Sequence, residues 1–96
     1  MLKHVVCYKL ADCNKEALEE CKRVLTSMVG IVPEIRSLEV GFDALGSPRS
    51  YDMILIVVLD DFDALKTYQS NEYHVTVVKK HMHSVVEKSV SVDFEF

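Results

Sequence analysis

Ninety-six residues, 49% apolar and 27% charged with three Gly and two Pro, describe one folded domain over residues 1–96 and leave no room for a long disordered tract. The net charge is −4 with no basic block, which argues against nucleic acid, because phosphate binding rests on a positive surface. No apolar run approaches the ~20 residues of a membrane helix, so a membrane partner is not expected.

Met1-Leu2-Lys3-His4 runs straight into alternating sequence without the apolar segment of a signal peptide. Residues 2–10 alternate as a strand, with Leu2, His4, Val6, Tyr8 and Leu10 on one face and Lys3, Val5, Cys7 and Lys9 on the other. Cys7, Cys13 and Cys21 are odd in number and form no Cys-x-x-Cys pair, which suits reduced thiols in the cytoplasm better than a disulfide framework or a zinc site. Asp12 or Asn14 is placed to cap a helix running to about Val29, in which Leu18, Cys21, Leu25 and Met28 share a face. Gly30 and Pro33 end it.

A second strand is expected from about Glu34 to Phe42, and Gly46-Ser47-Pro48 signals the turn that follows. Next comes the most apolar stretch of the chain, Ile54 to Leu59, closed by Asp60-Asp61. Such a run reads as a strand buried on both faces, with Met53, Leu55, Val57 and Leu59 to one side and Ile54, Ile56 and Val58 to the other. Asp60 or Asp61 caps a helical stretch carrying Phe62, Leu65 and Tyr68 on one side, Ser70-Asn71 interrupts it, and a further helix is expected from about Glu72 to His83. Residues 85–95 alternate again, Val86, Val90, Val92 and Phe94 against Glu87, Ser89, Ser91, Asp93 and Glu95.

Strand, helix, strand, strand, helix, strand is the α+β ferredoxin-like βαββαβ order, a four-stranded antiparallel sheet carrying its helices on one face. The opposite face would then expose Ile54, Ile56 and Val58 together with Val90, Val92 and Phe94. Covering six such side chains is worth on the order of 10 kcal/mol, about the whole stability of a small domain. The expected solution is a homodimer that closes two sheets face to face, a dimeric α+β barrel with those six residues at its interface. Periodicity does not settle which face of the last strand meets the helices. One choice turns Ser89, Ser91 and Asp93 inward, and the other puts Val90, Val92 and Phe94 under the helices.

Several short stretches together resemble the stress-responsive A/B barrel (Dabb) family: Lys3-His4-Val5-Val6, Ile31-Val32-Pro33, Arg49-Ser50-Tyr51-Asp52, and Tyr68 followed by His74. The likeness covers nearly the whole chain, with Asn71-Glu72 standing where the family usually has His-Pro. It implies the dimeric barrel, and most members of the family have no established activity. A protein of this kind would contribute stability or bind a small apolar ligand. Some plant members are stress-associated or self-assembling proteins, and one is a polyketide cyclase that performs an intramolecular aldol condensation with no metal or cofactor. Carried over residue by residue, that resemblance puts the catalytic His and Tyr on His74 and Tyr68, a pocket His on His4 and the His-orienting carboxylate on Asp93. A further pocket His falls on Met53, which cannot transfer a proton.

The chemistry such a site needs is a base near neutral pH, a group to orient it and a donor for the developing oxyanion. His74, Asp93 and Tyr68 are the candidates for those tasks, with His4, Tyr8, Met53, Leu55, Ser89 and Ser91 as pocket residues. Against this stand structural readings: His74 and His4 as hydrogen-bonded core histidines, Tyr68 as a packing residue and Cys21 as a small buried hydrophobe. His81 and His83, two apart on a helix, do not share a face and make no metal site.

Overall fold

A computed structural model describes all of residues 1–96. The elements run β1 (Leu2–Leu10), α1 (Lys15–Thr26), β2 (Ser37–Phe42), β3 (Met53–Leu59), α2 (Phe62–Ser70), a π-helical segment (His74–Lys79), α3 (Lys80–Val85) and β4 (Val86–Glu95). The strands form one antiparallel sheet in the order β2-β3-β1-β4, so the two longest-separated strands in sequence, β1 and β4, lie side by side. This is the ferredoxin-like βαββαβ fold, with all helical segments on one face.

Helices α1 and α2 start where the sequence supplies an acceptor for their free N–H groups. The Asn14 side chain accepts from the Ala17 N–H at 2.8 Å, and Asp61 does the same for Ala64 at 2.8 Å. Helix α1 stops at Thr26, three residues before Val29, because the following chain tightens into turns. The Val29 N–H reaches only to the Thr26 carbonyl, and Gly30 takes a φ of +87°, a left-handed conformation that suits a residue without Cβ. Strand β2 likewise begins at Ser37, not Glu34, since the Ile35 N–H is spent on the Val32 carbonyl in that same turn.

The helix-facing side of the sheet is closed over β3 and most of β1. Leu2, Val6, Leu10, Met53, Leu55, Val57 and Leu59 are buried there against Cys21, Val24, Leu25 and Met28 of the first helical arm and Leu65, Tyr68, Val78 and Met82 of the second. Strand register decides what β4 adds. Opposite Leu2, His4, Val6 and Tyr8 stand Glu95, Asp93, Ser91 and Ser89, so these polar residues share the helix side, and Val90, Val92 and Phe94 pair with Cys7, Val5 and Lys3 on the open face. The placement of Val90, Val92 and Phe94 under the helices is therefore excluded. On that open face Val90, Val92 and Phe94 are 50%, 63% and 43% exposed, while Ile54, Ile56 and Val58 are half-buried by the strands on either side.

Candidate functional site

One arm of the sheet is left incompletely filled. Between β1, β4 and the second helical arm lies a cavity of about 490 Å³, walled by Val6, Leu25, Val78, Met82 and Val86 and presenting His4, Tyr8, Tyr68, His74, Ser89 and Ser91 to its interior. That volume falls within the ~300–1,000 Å³ of small-molecule sites. It opens along β4, an edge strand whose Ser89 and Ser91 are exposed. Met53 and Leu55 face the same side of the sheet but are packed in the core and take no part in the cavity wall.

His74 owes its position to the break after α2. Asn71 has an extended backbone (φ −57°, ψ 134°) that ends α2, its carbonyl accepts the Val75 N–H at 2.9 Å and its side chain accepts the His74 N–H at 3.2 Å. An Asx residue is well suited to cap a new helical start. The segment that follows is wound as a π-helix, whose i→i+5 bonding places His74 and Lys79 one above the other. In an α-helix the same two residues would diverge by ~140°.

Three rings line up across the cavity floor. Tyr68 lies between the two histidines, its ring centroid 4.5 Å from His74 in a tilted contact and 5.8 Å from His4 edge to face. Burial pushes the Tyr68 hydroxyl above the range in which phenols ionise in water, and burial pushes Tyr8 up to about 12. Both phenols are therefore proton carriers that donate hydrogen bonds. His74 is shifted the other way, below the ordinary imidazole value of 6.5: burial is the main cause, the Gln69 backbone opposes it, and the Lys79 and His4 charges add to it. At neutral pH its ring is uncharged. Its Nδ1 is buried without a hydrogen-bond partner, a state that costs about 1–3 kcal/mol when nothing else fills it.

Asp93 does not orient His74. It sits directly across the β1–β4 ladder from His4 and bonds His4 Nδ1, so the expected pairing is corrected to the other histidine. That bond holds the Nδ1 proton toward the carboxylate and leaves Nε2 as the available nitrogen of His4. Side-chain exposure at the pair is 11% for His4 and 28% for Asp93. Asp52, from the Arg49-Ser50-Tyr51-Asp52 stretch, lies outside the cavity, where it accepts the Leu10 N–H at 2.7 Å and donates its own N–H to the Tyr8 carbonyl at 2.8 Å. It fixes the end of β1, and with it the position of Tyr8.

Gln69, Lys79 and His83 line the cavity as well, and sequence periodicity did not single them out for it. For Lys79 and His83 the reason is the π-turn, which no α-helical spacing anticipates, whereas Gln69 lies before it in α2. His81, in contrast, turns away toward α1, with Nε2 3.8 Å from Cys21 Sγ. No group of three or more His, Cys, Asp or Glu side chains converges in a way that would hold a metal ion. Cys7, Cys13 and Cys21 are all free thiols.

The family model of the stress responsive A/B barrel domain matches residues 2–96. Among solved structures, a dimeric protein of unknown function and ferredoxin-like fold from Bacteroides fragilis is similar at 27% identity with a TM-score of 0.83, covering 99% of this chain and 95% of that one. A Dabb family protein from Mesorhizobium loti superposes with a TM-score of 0.76 at 22% identity, over 99% of this chain and 95% of the other. The hydroxynitrile lyase of Passiflora edulis shares the fold with a TM-score of 0.82 at 13% identity, over 97% and 90% of the two chains. Comparison with curated proteins finds no match in sequence.

Proposed function

The chain belongs to the stress responsive A/B barrel domain family, and from that premise we propose that it is a cytosolic homodimeric barrel protein that binds a small, largely apolar ligand in the cavity beside β4. The observation that carries the ligand reading is the cavity itself, about 490 Å³ with a hydrocarbon wall and His4, Tyr8, Tyr68, His74, Ser89 and Ser91 among its lining residues. An apolar wall with a few convergent polar groups is the usual make-up of a small-molecule site. A ligand oxygen there would accept a hydrogen bond from a phenol or a serine hydroxyl of the wall. The homodimer is supported by the apolar open face of the sheet and by relatives that are dimeric. Three unpaired thiols favour a reducing compartment.

A second reading is favoured by one feature, the pairing of a neutral His74 with phenols that hold their protons. Such a pair suits cofactor-free lyase or cyclase chemistry on a carbonyl compound. His74 would take a proton from the carbon next to the carbonyl and the C–H electron pair would pass to the carbonyl oxygen as an enolate. Tyr68 would stabilise that oxygen with its O–H, and the enolate carbon would then add to a second carbonyl of the same molecule, whose π pair moves to its oxygen and takes up the proton held by the His74 imidazolium. Asp93 would act through His4, holding it in the tautomer described above.

A thermal-shift screen of small aromatic and β-dicarbonyl compounds against the natural protein and His74→Ala tests the ligand reading. The expected outcome is a set of stabilising compounds whose effect falls in the variant, and an identical response in the two proteins removes His74 from the site. For the catalytic reading, hits are followed by NMR in deuterated water. Exchange of the hydrogen next to the carbonyl should be faster with the natural protein than with His74→Ala or Tyr68→Phe, and equal rates in all three would rule it out.

A further inference from the structure

The cavity has an electrostatic character that the protein as a whole lacks. The chain carries a net charge of −4, yet no Asp or Glu lines this space. Its polar wall consists of one lysine, three imidazoles, two phenols, two serine hydroxyls and one amide. The nearest carboxylate, Asp93, is spent on His4. Most groups of this wall can donate a hydrogen bond, and none is a fixed negative charge.

The wall is also divided along its depth. His4 and Tyr68 lie at the buried end, whereas Lys79 and His83 are exposed residues that line the cavity, which puts them at its rim. Lys79 reaches that rim through the π-turn, since i→i+5 winding stacks it on His74, and His83 follows one α-helical turn later. The hydrocarbon surface, Leu25, Val78, Met82 and Val86, lines the space between the rim and the floor.

We infer that the cavity takes a small apolar acid, with its carboxylate at the Lys79 and His83 rim and its hydrocarbon body against Val78, Met82 and Val86. This rests on the ligand reading of the same cavity and adds to it the charge and the orientation of the ligand. A neutral ligand of equal shape would leave the rim cation solvated and forgo the charge-assisted bond. A ligand with an ammonium group would meet the Lys79 charge at the rim and find no carboxylate in the wall to pair with.

The probes are 2-naphthoate and its uncharged counterpart 2-naphthamide, titrated calorimetrically into the natural protein, Lys79→Met, Lys79→Arg and His83→Gln. Both positions are exposed, so these substitutions spare the core. Naphthoate is expected to bind roughly three- to tenfold more tightly than the amide at low salt, because the contact is charge-assisted but screened at the rim. The preference should shrink in 0.5 M salt, vanish in Lys79→Met, return in Lys79→Arg and weaken in His83→Gln. Amide and acid binding alike, or a preference that survives Lys79→Met, overturns the inference and leaves the ligand site standing. Binding of neither probe, or NMR shifts confined to Val90 and Val92 on the open face, removes the ligand site and this inference together.

Discussion

His4 and His74 are two imidazoles on either side of one tyrosine ring, and their surroundings give them different tasks. His4 is tied to a carboxylate and half of its hydrogen-bonding capacity is fixed, whereas His74 is desolvated and left with a free nitrogen. Removing the tie in Asp93→Asn replaces a charge-assisted bond with a weaker one beside a buried ring. A loss of about 1–2 kcal/mol is expected, read as a lower urea midpoint at fixed protein concentration. His74 makes a separate prediction about pH. Its folded-state value lies below the unfolded 6.5, so as pH falls past 6.5 the unfolded chain takes up a proton that the native ring refuses. Stability from this source is complete above that pH and is lost as pH falls toward the folded value. The stability of the natural protein should therefore decline more steeply than that of His74→Gln between pH 7.5 and 5.5, and parallel profiles would show that burial does not hold the ring neutral. The sequence named all four groups, His4, Tyr68, His74 and Asp93, but assigned Asp93 to the wrong histidine. Alternation gives the face on which a strand residue lies, whereas the partner depends on β1–β4 register, a long-range property that no local pattern encodes.

At the scale of the element, the two arms covering the sheet differ in how they are built. Helix α1 is one continuous amphipathic element with an Asn14 cap, a bidentate Glu20–Arg23 pair on its wet side and Cys21, Val24 and Leu25 on its buried side. The second arm is assembled from α2, the π-helical segment and α3, joined at Asn71. The polar cavity residues that helices supply, Tyr68, Gln69, His74, Lys79 and His83, all come from the segmented arm, consistent with the frequent occurrence of π-turns at functional positions. Substituting the caps separates the two arms. Asn14→Ala should cost about 1 kcal/mol without changing ligand affinity, because α1 contributes only Leu25 to the cavity wall. Asn71→Ala should cost a similar amount and also weaken binding, since it frees the backbone that aims His74. Equal effects of the two on binding would mean that the cap at Asn71 is structural only. The break at Ser70-Asn71 was legible because an Asx residue interrupts a helical pattern. The π-winding was not, because valines and a threonine at 75–78 fit an α-helix as well.

For the whole molecule, the decisive fact is that one sheet has two apolar faces and helices for only one of them. The open face carries Val5, Ile54, Ile56, Val58, Val90, Val92 and Phe94, with Lys3 lying over Phe96 at 4.9 Å at its margin. Four of these residues, Val5, Ile54, Ile56 and Val58, are half-buried already by neighbouring strands, so association recovers less than full burial of the whole face would suggest, and the exposed trio on β4 carries the larger share. Val92 is the most exposed of them and stands directly opposite Val5 in the β1–β4 ladder. A lysine there points into solvent in a free protomer and costs the isolated fold little, yet in a face-to-face dimer it would bury a charge in an apolar seam without a partner, a penalty of several kcal/mol. Val92→Lys is therefore expected to elute and scatter light as a folded monomer at micromolar concentration while the natural protein scatters as a dimer, and its melting temperature should become independent of protein concentration. A natural protein that scatters as a monomer would refute the barrel, and a Val92→Lys protein that remains dimeric would place the contact on a different surface.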